Sequence, residues 1–324
     1  MKALVNRIYT AVSSGEKVVV CTVLASSGSA PRGAGARMAV FQDGTTLGTV
    51  GGGRVEFLAA QEAGEILQSG KPCLRAFDLQ PEQVNSIGMI CGGKVTIYYQ
   101  LLTQAELPLL RQMREVLLQE ENTWLYLSIS DGIVRDCHVV DAAAAAAEPT
   151  LFTSRAVLQK GEPLIYCEPL TQAGSVYIFG GGHVGRALVP VLAGIDFRVK
   201  LYDNREELAK KEQYPAATEV IFGSYESIRV PLRREDYVII MTPGHQSDYA
   251  ILEQVLRFET RYVGCIGSKH KIARTQQLLR EAGISEERIQ SVHSPIGLPI
   301  GAQTPQEIAI SIAGELIACR ANAL

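Results

Sequence analysis

VYIFGGGHVGRAL, Val176 to Leu188, sets an apolar, β-prone run directly before Gly180-Gly181-Gly182-His183-Val184-Gly185, which opens in turn onto an amphipathic helix. This is G-x-G-x-x-G in the strand-to-helix setting that its physics requires. Gly180 permits the tight turn, Gly182 lets a pyrophosphate approach the backbone, and Gly185 allows the helix to pack closely on the strand. The helix N-terminus presents N–H groups to the anion. Asp203, ending the next strand, is placed to hold ribose hydroxyls. Arg205 can instead pair with Asp203 or meet a 2′-phosphate, so NADP stays open beside the favoured NAD. The simpler alternative is that the glycines serve only a tight turn.

Outward from this motif, strands alternate with helices to the end of the sequence. Arg198–Tyr202, Val220–Phe222, Tyr237–Met241 and Tyr262–Ile266 read as strands. Val184–Ala193, Tyr249–Leu256, Lys271–Ala282 and Glu307–Ala318 read as helices, and the rhythm implies a parallel, doubly wound sheet. Thr242-Pro243-Gly244-His245 and Gly264-Cys265-Ile266-Gly267-Ser268-Lys269 stand at strand ends, where open α/β sheets bind ligands. His183, His245, Ser268 and Lys269 are therefore expected near a bound nucleotide, for phosphate contact or proton transfer. Each taken alone is as simply a capping, packing or solvated residue. Thr304-Pro305-Gln306-Glu307 is a capping box that starts the last helix.

The first half reads differently. Lys17–Leu24 is a buried strand, Ala25–Ala36 a Gly/Ser-rich loop, and Arg37–Phe41 with Thr46–Val50 a hairpin. Gly51-Gly52-Gly53-Arg54-Val55-Glu56 then leads into a helix over Val55–Leu67, where a glycine triplet can expose N–H groups to an anion. Strands follow at Leu74–Leu79 and Val95–Leu101. Just before the latter, Cys91 lies in Gly88-Met89-Ile90-Cys91-Gly92-Gly93. A cysteine among glycines can be a thiolate that contacts a soft metal such as molybdenum; it can equally be a small buried hydrophobe. Leu107–Gln119 reads as a helix, Thr123–Ser130 and Ile133–Val140 as a hairpin, and Leu164–Cys167 as a last strand. Ala142–Ala147 is either a helical turn or a loop, and Glu168–Gly174 has the character of a linker. The expectation is α/β: an N-terminal mixed α/β domain over 1–170, then a Rossmann-like, doubly wound parallel-sheet domain over 171–324.

Composition narrows the partners. With 324 residues, 47% of them hydrophobic, two cores are affordable. A net charge of −3 with both signs interspersed gives no footprint for nucleic acid or anionic lipid. No signal peptide is evident, and no run reaches the roughly 18 apolar residues of a membrane span, so the expected location is cytoplasmic. The 7 cysteines are scattered and odd in number, which suggests reduced thiols and no structural metal.

Taken together, SGSAPRGAGARM (Ser27 to Met38), GTVGGGRVE (Gly48 to Glu56), GMICGG (Gly88 to Gly93), FGGGHVGRAL (Phe179 to Leu188), TPGHQSD (Thr242 to Asp248), GCIGSKHK (Gly264 to Lys271) and SPIGLPIGAQTPQEIAISIAGE (Ser294 to Glu315) resemble the XdhC/CoxI family of xanthine dehydrogenase accessory factors. The resemblance runs through nearly the whole chain in family order. It implies a chaperone that binds the molybdenum cofactor (molybdopterin), protects it while a cysteine desulfurase supplies sulfur, and passes it to a xanthine dehydrogenase-type molybdenum hydroxylase. Such a protein acts by binding, without turnover. On that view Gly51, Gly52, Gly53, Arg54, Glu56, Cys91, Gly92 and Gly93 match motifs facing the cofactor. Gly180, Gly182, His183, Gly185, Asp203, His245, Ser268 and Lys269 hold a nucleotide, NAD(P) or FAD, or the pterin phosphate. Many members have cysteine where Arg54 stands and an acidic residue where Pro299 stands, which weakens any two-thiol mechanism here and any carboxylate role at Pro299. The expected oligomer is a homodimer. The rival readings are an NAD(P)- or flavin-dependent oxidoreductase with His245 or Lys269 as proton donor, and an interaction module on a degenerate Rossmann scaffold.

Overall fold

In the computed structural model, residues 1–28, 32–78, 93–267 and 269–323 are described, with backbone only for 269–272. The chain divides into two compact units, Met1–Gln172 and Ala173–Leu324.

Among its described residues the first unit holds two antiparallel sheets. In chain order its elements are α1 (Lys2–Ser13), β1 (Val18–Gly28), β2 (Arg37–Phe41), β3 (Thr46–Gly48), α2 (Gly53–Ser69), β4 (Cys73–Asp78), β5 (Gly93–Leu102), α3 (Leu107–Val116), β6 (Thr123–Ser130), β7 (Ile133–Asp141), α4 (Ala142–Ala145), β8 (Val157–Gln159) and β9 (Leu164–Thr171). The first sheet has the order β3-β2-β1-β5-β4 and the second β7-β6-β9-β8. Val18, Val20 and Leu24 of β1 pack with α1, α3 and the second sheet. Val19, Cys21 and Val23 point to the other face, against Val55, Ala59, Ala63 and Ile66 of α2. Burial on both faces is why β1 is apolar without alternation.

Two readings of this half change, and one left open is decided. β1 runs to Gly28, pairing Ala25–Gly28 with Thr96–Gly93 of β5, so the Gly/Ser-rich loop begins later than its composition suggests. The stretch from Glu168 to Thr171 is strand rather than linker. Glu168 is buried and ion-paired with Arg37, while Tyr166 donates to its other oxygen at 2.9 Å, an arrangement that a short polar-looking sequence does not reveal. The alanine tract forms one helical turn, which Asp141 caps by accepting the Ala144 N–H at 2.8 Å.

The second unit is a six-stranded parallel sheet in the order β12-β11-β10-β13-β14-β15, comprising β10 (Val176–Phe179), β11 (Val199–Asp203), β12 (Glu219–Phe222), β13 (Tyr237–Ile240), β14 (Tyr262–Cys265) and β15 (Val292–His293). Helices α5 (His183–Gly194) and α9 (Pro305–Arg320) cover one face. Helices α6 (His245–Val255), α7 (Lys269–Glu281) and α8 (Glu286–Gln290) lie on the other side. This is a Rossmann-like doubly wound sheet, whose order reverses between β10 and β13; ligands of such folds bind at the carboxyl ends of strands at that switch. The capping box at the start of α9 is complete: the Thr304 hydroxyl accepts the Glu307 N–H and the Glu307 carboxylate accepts the Thr304 N–H. The short elements β8, α8 and β15 carry too little periodicity to be read from sequence.

Candidate functional site

At the switch point the glycine turn has the geometry the motif requires. Gly180 has φ of +118°, and a Cβ there would lie 2.5 Å from the Met241 carbonyl oxygen at the end of β13. A Cβ on Gly185 would collide with the Gly180 carbonyl oxygen, so helix α5 sits as close to the turn as glycine permits. Gly182 differs: it has open space where a Cβ would stand, and as N-cap of α5 it offers no side chain to the helix amides. The first turn of a 12-residue helix thus presents its N–H groups without a capping side chain. His183 and His245, the first residues of α5 and α6, are both exposed at the carboxyl ends of neighbouring strands.

Asp203 makes four hydrogen bonds within the protein. Its Oδ1 accepts the Arg205 N–H at 2.9 Å and Nε–H at 2.8 Å; its Oδ2 accepts the Gly181 N–H at 2.6 Å and an Arg205 Nη2–H at 2.8 Å. Burial alone would push this carboxyl up. The Arg205 guanidinium and the two amides outweigh it and hold the group below its ordinary value. The carboxylate expected to hold ribose hydroxyls is thus engaged within the protein, and of the two roles open to Arg205, pairing with Asp203 is the one observed. The buried Tyr214 hydroxyl donates to the Gly181 carbonyl, and a Cβ on Gly181 would fall 2.5 Å from that hydroxyl. The middle glycine of the triplet is thereby explained. Arg186, in the first turn of α5, donates to Gln213 at 2.6 Å and pins the same segment.

In the glycine loop of the first unit, the Gly51 and Gly52 amides expected to face an anion are engaged by side chains of the protein itself. The Glu56 carboxylate accepts the Val50 N–H at 3.2 Å, the Gly52 N–H at 3.0 Å and the Thr49 hydroxyl, while Gly51 donates to Thr49 at 3.0 Å. Burial would raise the Glu56 carboxyl, but the Thr49 hydroxyl and the Gly52 and Val50 amides prevail and lower it. Arg54 and Gly53 are exposed in the first turn of α2, and Gly93 begins β5. Cys91, Gly92 and Ser268 lie outside the described residues, as does the side chain of Lys269.

Two hollows escaped sequence reasoning because no motif marks them. One of about 30 Å³, room for a water or two, lies beneath His245 beside Asp248, Cys265 and Ser294. A larger one of about 570 Å³ in the first unit is lined by residues including Tyr98, Gln100, Glu106, Gln112 and Cys137. It has the size of a small-molecule site. Burial pushes the Cys137 thiol up to about 11, so at neutral pH it is a thiol and not a thiolate ligand.

Comparison with known proteins places the chain. Residues 176–316 match the model for the XdhC Rossmann domain, and residues 11–78 match that for the XdhC and CoxI family. The chain is 25% identical to YqeB, an uncharacterized Escherichia coli protein, over 93% of its own length, and it spans 43% of that protein. It is 24% identical to a probable xanthine dehydrogenase subunit of Bacillus subtilis, covering 94% of each. It is 25% identical to PaoD, a molybdenum cofactor insertion chaperone of Escherichia coli, covering 96% of this chain and 86% of that protein. A Bacillus halodurans crystal structure described as a xanthine dehydrogenase superposes with a TM-score of 0.82 at 24% identity, covering 100% of this chain and 96% of the other, a likeness of fold. With both halves matched in order by models of one family, the chain belongs to the XdhC and CoxI family.

Proposed function

We propose that this chain is a molybdenum cofactor carrier and insertion chaperone, which binds the cofactor, shields it during sulfuration and delivers it to a xanthine dehydrogenase-type molybdenum hydroxylase. The observation that carries the reading is the uncapped start of α5 at Gly182, a backbone cradle open to an anion at the switch point. The pterin's phosphate fits that chemistry: Gly182 and the following amides would hold it, with His183 beside them. Among the described residues no group of three or more His, Cys, Asp or Glu is placed to hold a bare metal ion, and the molybdenum of the cofactor brings its own dithiolene sulfurs. Cys91 would supply the soft contact to that end of the cargo. The partners on this reading are a recipient hydroxylase and a cysteine desulfurase, with the carrier itself a cytoplasmic homodimer. Among the described residues no helix is long and apolar enough to cross a membrane.

The test is an anaerobic titration of the whole protein with released molybdenum cofactor, followed by fluorescence and gel filtration. Saturable binding near one cofactor per chain supports the carrier, and Cys91→Ala should weaken retention without unfolding. Absence of cofactor binding, with turnover of a nicotinamide or flavin nucleotide instead, sinks it in favour of an oxidoreductase.

A further inference from the structure

We propose that the switch-point surface at the carboxyl ends of β10 and β11 selects a ligand bearing a phosphate monoester over one ending in a free ribose diol, with Arg205 as the selecting residue and Asp203 as the group that orients it. The inference rests on the reading of this switch point as a ligand site and adds the class of ligand it takes.

An ionised carboxylate is acceptor-only, with about four lone-pair positions. Asp203 receives four hydrogen bonds from two amides and one guanidinium, all within 3.0 Å, and its side chain is 0% exposed. A ribose diol needs an acceptor at this place, and none is left without breaking the paired guanidinium contact. Arg205 is in the opposite condition. Its side chain is 34% exposed, and the pair with Asp203 engages Nε–H and one Nη2–H. About three further guanidinium N–H donors are left for a second acceptor.

The surroundings fix that arrangement. Tyr214 ties the segment after β11 to the Gly181 carbonyl, and Arg186 ties it through Gln213 to the first turn of α5. The guanidinium is thus held by its carboxylate partner, which also accepts the Gly181 N–H next to Gly182 in the glycine turn. Planar, bidentate, charge-assisted recognition is where arginine exceeds lysine, and phosphate is its matched anion. Glu207, whose charge acts on Arg205, is the opposing influence, so Glu207→Gln should strengthen phosphate binding.

Two sources share this chemistry, the 2′-phosphate of NADP and the terminal phosphate of the molybdenum cofactor's pterin. The test is calorimetric titration of the full chain with NADP⁺ and with NAD⁺, and with released cofactor, for the native protein, Arg205→Ala and Arg205→Lys. The expected result for a nucleotide source is NADP⁺ binding at least about tenfold tighter than NAD⁺, the size of one charge-assisted contact, with the ratio near one in Arg205→Ala. For a pterin source, Arg205→Ala weakens cofactor binding about tenfold, and the cofactor displaces whatever NADP⁺ is bound. Arg205→Lys should recover part of either effect, which a merely unfolded variant would not. Equal NAD⁺ and NADP⁺ affinities together with cofactor binding indifferent to Arg205 overturn the inference; so does binding of none of the three. Selective NADP⁺ binding without cofactor binding keeps this inference and removes the chaperone reading, while cofactor binding unaffected by Arg205 together with no preference for NADP⁺ does the reverse.

Discussion

Glu56 reaches back over one turn of α2 to accept the Gly52 N–H at 3.0 Å, so the glycine loop carries its own anion. Replacing Glu56 by Ala leaves the Val50 and Gly52 amides and the Thr49 hydroxyl without their acceptor. A loss of about 1–2 kcal/mol is expected for a half-buried cluster of this kind. Because the folded-state pKa is lowered, the stabilisation is full above the ordinary value of 4.5 and is lost as pH falls through the lowered one. Trp124, in β6 and the chain's 1 tryptophan, reports unfolding of the first unit. Its fluorescence during thermal unfolding should give a smaller loss of stability between pH 5 and 3, on the order of that cluster's contribution, in Glu56→Gln than in the native chain. Parallel pH profiles for the two proteins would refute the assignment.

The two outer positions of the Rossmann turn separate ligand binding from folding. Gly185→Ala forces a Cβ onto the Gly180 carbonyl oxygen and should cost about 1–3 kcal/mol with a lowered Tm. Gly182→Ala meets open space at a φ of −70° and should leave Tm nearly unchanged. It nevertheless puts a methyl group where an anion would approach the backbone, so cofactor or nucleotide binding should fall at least about tenfold, the equivalent of about 1.4 kcal/mol. A Gly182→Ala protein that binds as well as the native one would show that no anion approaches there.

Much of this site was legible because its physics is local. A glycine turn between an apolar strand and a helix has few alternatives, and Val176 to Leu188 reads correctly from the chain alone. The capping box at Thr304 is legible for the same reason. What escaped depends on which internal donors a side chain meets, something that residue type and position do not specify. Asp203 and Glu56 both occupy positions where carboxylates meet ligands, yet each is satisfied within the protein by donors on neighbouring turns. Glu168 looked like part of a linker because its partner Arg37 stands on a strand far earlier in the chain. Short edge elements such as β15 owe their existence to the sheet beside them, with almost no periodicity of their own.

Arg37 and Glu168 join the two sheets of the first unit through a pair whose side chains are 7% and 3% exposed. Arg37 also donates to Thr22 at 3.3 Å. Removing one partner strands the other charge in the core, so Glu168→Gln should cost about 3–5 kcal/mol. The double variant Arg37→Met with Glu168→Leu removes both charges and should recover most of that loss. Denaturant unfolding read by Trp124 fluorescence checks both, and a double variant as unstable as the single one would mean that shape, not charge, dominates here.

Glu315 closes the second unit from α9. Its Oε1 meets His293 Nδ1 at 2.6 Å, and its Oε2 accepts the Gly297 N–H, which pins the Ser294–Ile300 loop to the last helix. Burial raises this carboxyl, but hydrogen bonds from His293 and Gly297 reverse the effect and lower it. The sign is therefore that of a stabilising carboxylate: the contribution is complete above the ordinary value of 4.5 and disappears as pH falls through the lowered pKa. Glu315→Gln should cost about 1–3 kcal/mol at neutral pH, since Gly297 loses a charged acceptor and His293 its partner. Far-ultraviolet circular dichroism, which reports both units, should register the loss, while the Trp124 transition in the first unit stays where it is. If both signals shift together, the two units unfold as one and Glu315 contributes to the whole chain.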